Sequence, residues 1–198
     1  MKILIACEFS GVVRDAFTKR GHSAVSCNIL PTESCGLHYQ GDVLEILNQG
    51  FDMMIAHPPC TYISNAGACR LYPKKGQLDE ERYRLGLKAK EFFMALYEAN
   101  IQKICVENPV SSTVFKMPPH TQEIQPHMFG HPYTKKTRLW LKGLPPLVAT
   151  DQVEPIGPYL PAGTGRKIKA KYGIAKRDGK SRSITFQGIA DAMAEQWG

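Results

Sequence analysis

No apolar run in the 198-residue sequence approaches the roughly 18–20 residues that a membrane-spanning helix needs. The first apolar stretch meets an acid at Glu8, too early for the apolar region of a signal peptide. None of the six cysteines stands in a Cys-x-x-Cys pair, which removes the usual sign of a redox motif or a zinc site. We therefore expect a soluble cytoplasmic protein with reduced thiols and without a bound metal.

Length and composition favour one folded domain. The chain is 43% hydrophobic and 22% charged, unlike disordered or fibrous sequences. A chain of 198 residues is long enough for one well-buried core and short for two. No internal repeat, low-complexity stretch or clear boundary divides it, so we interpret residues 1–198 as a single domain.

The excess positive charge is concentrated in one segment. Between Gly163 and Arg182 eight bases accompany one acid, so this window carries the entire formal net charge of +7. Its glycines and its lack of apolar periodicity predict a basic loop at about 157–182. Nucleic-acid phosphates are the partner that such a cluster favours, although a solvated surface loop is the simpler alternative. The candidate nucleic-acid contacts in this loop are Arg166, Lys167, Lys169 and Lys171.

Apolar and amphipathic segments alternate along the chain in a pattern typical of α/β folds. Short apolar runs indicate strands at Lys2–Ala6, His22–Cys27, Asp52–Ala56, Lys103–Val106 and Arg138–Leu141. Predicted helices follow the turn at Ser10-Gly11, cover Val43–Asn48 and about Glu80–Asn100, and end the chain with Ile189, Met193 and Trp197 on one face. This alternation implies a mostly parallel sheet with crossover helices. Polar residues after the first, third and fourth strands should gather at the carboxyl edge, where such sheets bind ligands.

A cysteine and a carboxyl group follow two of these strands. Cys60 lies on a two-proline turn, Pro58-Pro59, whose restricted backbone angles would hold the thiol in position. Glu107 ends the next apolar run, where a partly buried carboxyl group can stay protonated and donate a hydrogen bond. A thiol nucleophile beside an acid suits attack on an electron-poor ring. Each residue alone has a simpler interpretation, Cys60 as a buried thiol and Glu107 as a surface acid or helix cap.

Five short motifs occur in order along the chain. One is a Pro-Pro-Cys loop with a following serine, Pro58-Pro59-Cys60 with Ser64, and another is Glu107-Asn108-Pro109. The other three are Phe9-Ser10-Gly11 after the first strand, Gly41-Asp42-Val43, and Gly130-His131-Pro132 followed by Thr134 to Arg138. Their order and spacing resemble those of the DNA cytosine-5 methyltransferases. The resemblance covers roughly residues 1–143 and is greatest to the short, mostly phage-borne members of that family.

The resemblance implies a Rossmann-like fold that binds S-adenosylmethionine and acts on cytosine in DNA, in the cytoplasm of a phage's host cell. It implies that Cys60 adds to C6 of a flipped-out cytosine and that Glu107 contacts N3 and the exocyclic amine. Arg138 would hold the base or a nearby phosphate. C5 would then take the methyl group and lose its proton before Cys60 departs. The implied cofactor contacts are Glu8, Phe9, Ser10, Gly11, Asn28, Asp42, Val43 and Pro59.

The chain also departs from the family pattern. Asn28 follows the second strand, where the family usually has an acid for the ribose. Only residues 144–181 stand where the family has a target-recognition domain, so the basic loop would have to make the contacts with DNA. Because contacts from lysines to phosphates do not read the bases, we expect weak sequence specificity. Lys136 and Arg70 are further candidate nucleic-acid contacts. Arg70 belongs to a segment of about 61–77 that resembles the family's loop over the target base, although a polar connection into the next helix is an equal alternative.

Several functions stay open at this level. The substrate can be DNA, RNA or a free pyrimidine nucleotide, and the transferred group need not be methyl. A different class of function is nucleic-acid binding by an inactive relative with the same fold. A role through protein contacts is a third possibility that no residue pattern addresses. Separately, the lack of a recognition domain of the usual size leaves a homodimer or a partner subunit open.

Overall fold

A computed structural model describes residues 1–158 and 183–198. The strands are β1 (Lys2–Ala6), β2 (Ser23–Asn28), β3 (His38–Gln40), β4 (Met53–Ala56), β5 (Lys103–Pro109), β6 (Gln122–Ile124), β7 (Tyr133–Thr134), β8 (Thr137–Lys142) and β9 (Gly157–Pro158). The helices are α1 (Val12–Lys19), α2 (Asn65–Ala68), α3 (Glu80–Tyr97) and α4 (Gln187–Trp197). The predicted basic-loop contacts Arg166, Lys167, Lys169 and Lys171 lie outside the described residues.

Seven strands form one sheet in the order β3-β2-β1-β4-β5-β8-β6. Strand β8 runs antiparallel to both of its neighbours, β5 and β6, and the other pairings are parallel. The chain therefore builds outward from β1 to β3 and then returns to the other side of β1 with β4. This order confirms the predicted Rossmann-like α/β fold and places a topological switch point between β1 and β4.

The central strands are buried on both faces, which explains why they read as continuous apolar runs. Residues 3–6 of β1 and 53–56 of β4 are 0% exposed. Helices α1 and α4 pack together against one face of the sheet, and α3 covers the other. The face of α4 predicted from its spacing is confirmed, because Ile189, Met193 and Trp197 are all buried. No helix among the described residues has the length and apolar character needed to cross a membrane.

Some predicted elements differ from those observed. The helix predicted over Val43–Asn48 is instead a 3₁₀ turn at Val43–Glu45, which Asp42 caps by accepting a hydrogen bond from the Leu44 amide at 3.0 Å. Strand β8 extends the predicted strand by one residue at each end. The prediction omitted β3, β6, β7 and β9, since strands of two or three residues are too short to show a repeating apolar pattern.

Candidate active site

A pocket of about 340 Å³ opens at the carboxyl edge of the sheet, beside the ends of β4 and β5. The loop after β4, the end of β5 and the segment between β7 and β8 all contribute to its wall. The residues that line it are His57, Pro58, Cys60, Thr61, Ser64, Ala66, Gly67, Arg70, Arg82, Glu107, Pro109, Lys135 and Ser183. The pocket therefore joins the thiol and the carboxyl group that the sequence analysis singled out, together with charged groups from three other segments.

Glu107 forms a buried pair with His57. Strands β4 and β5 are parallel, with Ala56 opposite Val106, so the next residue of each strand lies on the same face. His57 Nδ1 lies 2.8 Å from Glu107 Oε2, and the two side chains are only 8% and 16% exposed. Burial raises the pKa of Glu107, but the hydrogen bond and charge of His57 and the charge of Lys135 outweigh burial and hold that pKa below its usual value. These contacts favour the carboxylate form of Glu107, whereas partial burial alone would favour the protonated acid.

The backbone around Cys60 is anchored on both sides. Asn108, next to Glu107 on β5, donates from Nδ2 to the Pro58 carbonyl at 3.3 Å. Beyond the thiol, the Ser64 amide donates to the Cys60 carbonyl at 3.0 Å, and the Ser64 side chain caps α2. Cys60 itself is partly buried. These contacts position the thiol at the pocket wall, as the two-proline turn indicates.

The segment after Cys60 makes several contacts that hold it against the rest of the fold. Ile63 and Leu71 are buried, and a bridge joins Ser64 to Ser111. Arg82 of α3 donates from Nη2 to the Gly67 carbonyl at 3.0 Å, and its guanidinium lies 5.1 Å from the ring centroid of Tyr62. This arrangement favours a fixed pocket wall from 61 to 71, and Arg70 belongs to that wall.

The other described thiols lie in different surroundings. Burial raises the pKa of Cys7 to about 12 and of Cys27 to about 11, and the charge of Asp42 adds to both shifts. Burial also raises the pKa of Cys105, which β5 holds inside the core. Because the thiolate is the nucleophilic form, these three sites are unsuited to attack. Cys35 and Cys69 are exposed, so Cys60 combines partial burial with a place in the pocket wall.

The structure does not bring Arg138 to this pocket. Glu107 pairs with Leu139 across β5 and β8, so Arg138, one residue earlier, points to the opposite face of the sheet. Its Nε lies 3.4 Å from Glu123 Oε2, and the predicted nucleic-acid contact Lys136 lies 2.8 Å from the other oxygen of that carboxylate. Lys135 lines the pocket and acts on the Glu107 charge, so it is the cation from this motif that meets the carboxylate.

A separate set of predicted residues surrounds the switch point between β1 and β4. Glu8 is 5% exposed, and its carboxylate accepts hydrogen bonds from the α1 amides of Val13 at 2.8 Å and Arg14 at 3.2 Å. Ser10 donates to the same carboxylate at 3.3 Å. Glu8 thus caps α1, and its charge is stabilised by the positive end of the helix dipole.

Gly11 serves the local fold. It precedes α1 with φ of 77°, a conformation that favours glycine, and a Cβ there would overlap Ser34. Ser34 belongs to the segment after β2 that Arg14 binds: Arg14 is 1% exposed and donates to Ser34 Oγ at 2.5 Å and to the Cys35 carbonyl at 2.9 Å. The space beside Gly11 is therefore filled by the protein itself.

The remaining predicted cofactor contacts lie at or near the same carboxyl edge. Asn28 ends β2, where its Oδ1 accepts the Leu30 amide at 2.9 Å. Asp42 follows β3 and is close enough to Cys7 and Cys27 to raise the pKa of both. Val43 and Phe9 are buried, whereas Pro59 is exposed beside Cys60. The edge between β1, β2 and β4 thus contains two acids, Glu8 and Asp42, and apolar side chains.

The sequence analysis did not assign His57 and Lys135, the two residues that lower the pKa of Glu107. The position of His57 in the sequence could have identified it. His57 comes directly after the apolar run of β4, and Glu107 comes directly after the apolar residues of β5, so parallel pairing of these strands brings the two side chains together. The sequence gives less indication of Lys135. Either Lys135 or Lys136 could have faced Glu107, and the outcome depends on which face of β8 lies beside Glu107. Among the described residues, no group of three or more His, Cys, Asp or Glu side chains is arranged to hold a metal ion.

No protein-family model matches the chain, and no curated protein matches it. Among solved structures, one similar chain is a prophage-encoded E. coli protein assigned as a DNA modification methyltransferase, at 15% sequence identity and a TM-score of 0.40. The match covers 70% of this chain and 45% of that chain, so this chain spans less than half of that protein's length.

Proposed function

We propose that this chain is an S-adenosylmethionine-dependent methyltransferase that modifies C5 of cytosine in DNA through a covalent adduct with Cys60. The observation that carries the proposal is the meeting of Cys60, Glu107 and Lys135 in one pocket beside the switch point of a Rossmann-like sheet. A thiol, a carboxyl group and a cation are the three groups that such an adduct needs.

Each group has a role that follows from pyrimidine chemistry. C5 of cytosine is a poor nucleophile until a thiolate adds to C6, which makes the C5 position enamine-like. Cys60 supplies that thiolate, and Glu107 binds N3 and the exocyclic amine. Lys135 takes the role that the sequence resemblance gave to Arg138, because its charge acts at the Glu107 carboxylate while Arg138 faces Glu123. The atoms are out of reach in a stacked duplex, so the base must be flipped out.

The carboxyl edge between β1, β2 and β4 suits S-adenosylmethionine better than a phosphate-bearing cofactor. Rossmann folds bind a pyrophosphate on the amides at the first helix N-terminus, but Glu8 already occupies the Val13 and Arg14 amides with a negative charge. S-adenosylmethionine has no phosphate and carries a positive sulfonium, which suits an edge that contains the acids Glu8 and Asp42. Phe9, Asp42, Val43 and Pro59 are the residues that would hold it. When bound, it supplies an electrophilic methyl group.

The inference of a nucleic-acid substrate rests on charge. The window from Gly163 to Arg182 carries a net charge of +7, which a free nucleotide would not require. Within the described residues, Arg70 and Arg82 line the pocket beside Cys60 and supply positive charge there. DNA is the substrate of the family that the motifs resemble, and RNA is the alternative of the same charge.

The test is to trap the covalent adduct. The protein is incubated with S-adenosylmethionine and DNA containing 5-fluorocytosine, which cannot lose its C5 substituent. We expect an adduct that survives denaturant, with the DNA attached to the peptide containing Cys60. It should be absent in Cys60→Ser and retained in Cys69→Ser, a matched change of an exposed thiol nine residues away. The same incubation with RNA in place of DNA shows which of the two polymers is the substrate.

A failure of this test has a clear meaning. If neither DNA nor RNA forms an adduct and calorimetry detects no binding of S-adenosylmethionine, the chain is a binding protein with this fold. If methyl transfer occurs and Cys60→Ser keeps it, the covalent mechanism is wrong.

A further inference from the structure

The buried pair of His57 and Glu107 raises a question about proton supply. In the proposed reaction a proton must reach N3 of cytosine as the Cys60 thiolate adds to C6. Glu107 lines the pocket, and its Oε2 lies 2.8 Å from Nδ1 of His57. Burial raises the pKa of Glu107, but the hydrogen bond from His57 and the charge of Lys135 outweigh burial and favour the carboxylate form. A second group must store that proton.

His57 is placed to do so. Its Nδ1 lies 2.8 Å from Glu107 Oε2, close enough for a proton to pass directly between them. The other ring nitrogen, Nε2, is buried and has no hydrogen-bond partner among the described residues. In particular, Nε2 makes no hydrogen bond to the Cys60 thiol, so the structure connects His57 to the site through Glu107.

We propose that His57 is a positioning residue that shares one proton with Glu107 and thereby supplies the proton that Glu107 delivers to the pyrimidine ring. This inference rests on the proposed function and deepens it. His57 also holds Oε2 of Glu107, which leaves Oε1 as the carboxyl oxygen for the substrate.

The balance of the N3 proton closes within the pair, and the C5 proton that methylation displaces leaves to solvent before Cys60 departs. Before the reaction, one proton is shared, as imidazolium and carboxylate or as neutral imidazole and carboxylic acid. Cys60 enters as a thiolate after releasing its proton to solvent, and its sulfur forms a bond to C6 while the C5–C6 double bond breaks. The electron pair moves through the ring, and N3 takes the shared proton, which leaves neutral His57 and ionised Glu107. When Cys60 departs, the S–C6 bond breaks and N3 returns the proton to the pair.

Other ionisable groups act on the same carboxylate. Lys135, between β7 and β8, stabilises its negative charge, and the thiol of Cys105, two residues earlier on β5, has its own pKa raised mainly by burial and further by the Glu107 charge. Cys105 stays a neutral thiol, so Lys135 and His57 are the charged neighbours that set the behaviour of Glu107. Because two groups share the proton, the measured titration belongs to the pair.

The first experiment uses the free protein, so it does not depend on any substrate. Nitrogen-15 and proton NMR of the histidine rings reports which ring nitrogen of His57 carries the proton and how strongly that proton is hydrogen-bonded. We expect a proton on Nδ1, and we expect Glu107→Gln to move its resonance upfield, since a hydrogen bond to a neutral amide is weaker than one to a carboxylate. His57→Gln identifies the signal by removing it. An unchanged Nδ1 proton resonance in Glu107→Gln overturns the proposal.

The second experiment measures the rate of adduct formation with 5-fluorocytosine DNA against pH. We expect the rate to fall at high pH as the pair loses its proton. His57→Gln should move that fall to lower pH by about two units, because a carboxyl group then holds the proton in place of an imidazole. A purely structural role for His57 would lower the rate equally at all pH values and would overturn the proposal. His120→Gln, outside the pocket lining, is the control and should keep the wild-type profile.

The two failures are distinguishable. If no polymer gives an adduct, the proposed function fails while NMR still reports whether the pair shares a proton. If adducts form and His57→Gln leaves the pH profile unmoved, the function stands and the role of His57 is wrong.

Discussion

The Nε of Arg138 lies 3.4 Å from Oε2 of Glu123, on the sheet face opposite to Glu107. The antiparallel register of β8 fixes this arrangement, because it pairs Leu139 with Glu107 and turns its neighbour away. A shift of one residue in a strand reverses every side chain. The cation of this motif that acts on the Glu107 carboxylate is therefore Lys135.

Lys135→Ala and Arg138→Ala should separate these two positions. We expect Lys135→Ala to lower kcat/KM for methyl transfer on the order of 100-fold, because the pocket loses the charge that stabilises Glu107 and the substrate. Arg138→Ala should change it less than about threefold, since a partly exposed ion pair with Glu123 contributes little. Steady-state kinetics on DNA measures both. A larger loss of kcat/KM in Arg138→Ala than in Lys135→Ala would show that Arg138, and not Lys135, acts in the reaction.

Glu8→Ala should destabilise the fold. The change removes a buried carboxylate and leaves the Val13 and Arg14 amides without their partner, so we expect the free energy of unfolding to fall by about 2 kcal/mol. Urea denaturation followed by circular dichroism measures it. Glu91→Ala, an exposed acid on α3, should change stability by less than about 0.5 kcal/mol. Equal stability of both variants would contradict the capping role.

Native thiols should divide into two classes. At about pH 8, we expect iodoacetamide to modify Cys35, Cys60 and Cys69. It should spare Cys7, Cys27 and Cys105, because burial raises the pKa of all three thiols. Peptide mass mapping assigns each site, and unfolded protein, in which all six thiols react, is the control. Fast labelling of Cys7 in folded protein would show that the β1 edge is open.

Stability should fall in mild acid because of His131. Burial lowers the pKa of His131 in the folded protein below its usual 6.5, against an opposing effect of Asp191, and its Nε2 accepts the Gly188 amide at 3.0 Å. The unfolded chain binds this proton more readily, so the stabilisation is present above pH 6.5 and is lost as pH falls through the folded pKa.

Urea unfolding of wild type and His131→Gln at about pH 7.5 and pH 5.5 checks this expectation. The variant should lose less stability on acidification than wild type. A residual loss is expected in both, because the pKa of His22 is lowered in the same direction, mainly by burial. An identical loss in both proteins would exclude His131 as a cause.

Much of the fold was predictable because burial on both faces leaves a direct trace in sequence. The apolar runs at β1, β4 and β5 locate the central strands, and the helical spacing of Ile189, Met193 and Trp197 gives the buried face of α4. The positions of Cys60 and Glu107 after neighbouring strands also followed from this pattern, since parallel strands end at one edge.

Contacts that depend on strand register could not be predicted from the sequence. The pairing of Ala56 with Val106 brings His57 to Glu107, and the pairing of Leu139 with Glu107 directs Arg138 away from the pocket. The buried segments and the chemical groups that follow them could be inferred from the sequence, because burial follows local composition. The contacts between these groups became visible only in the folded chain, because they depend on distances between segments that are remote in sequence. The same distances favour the carboxylate form of Glu107.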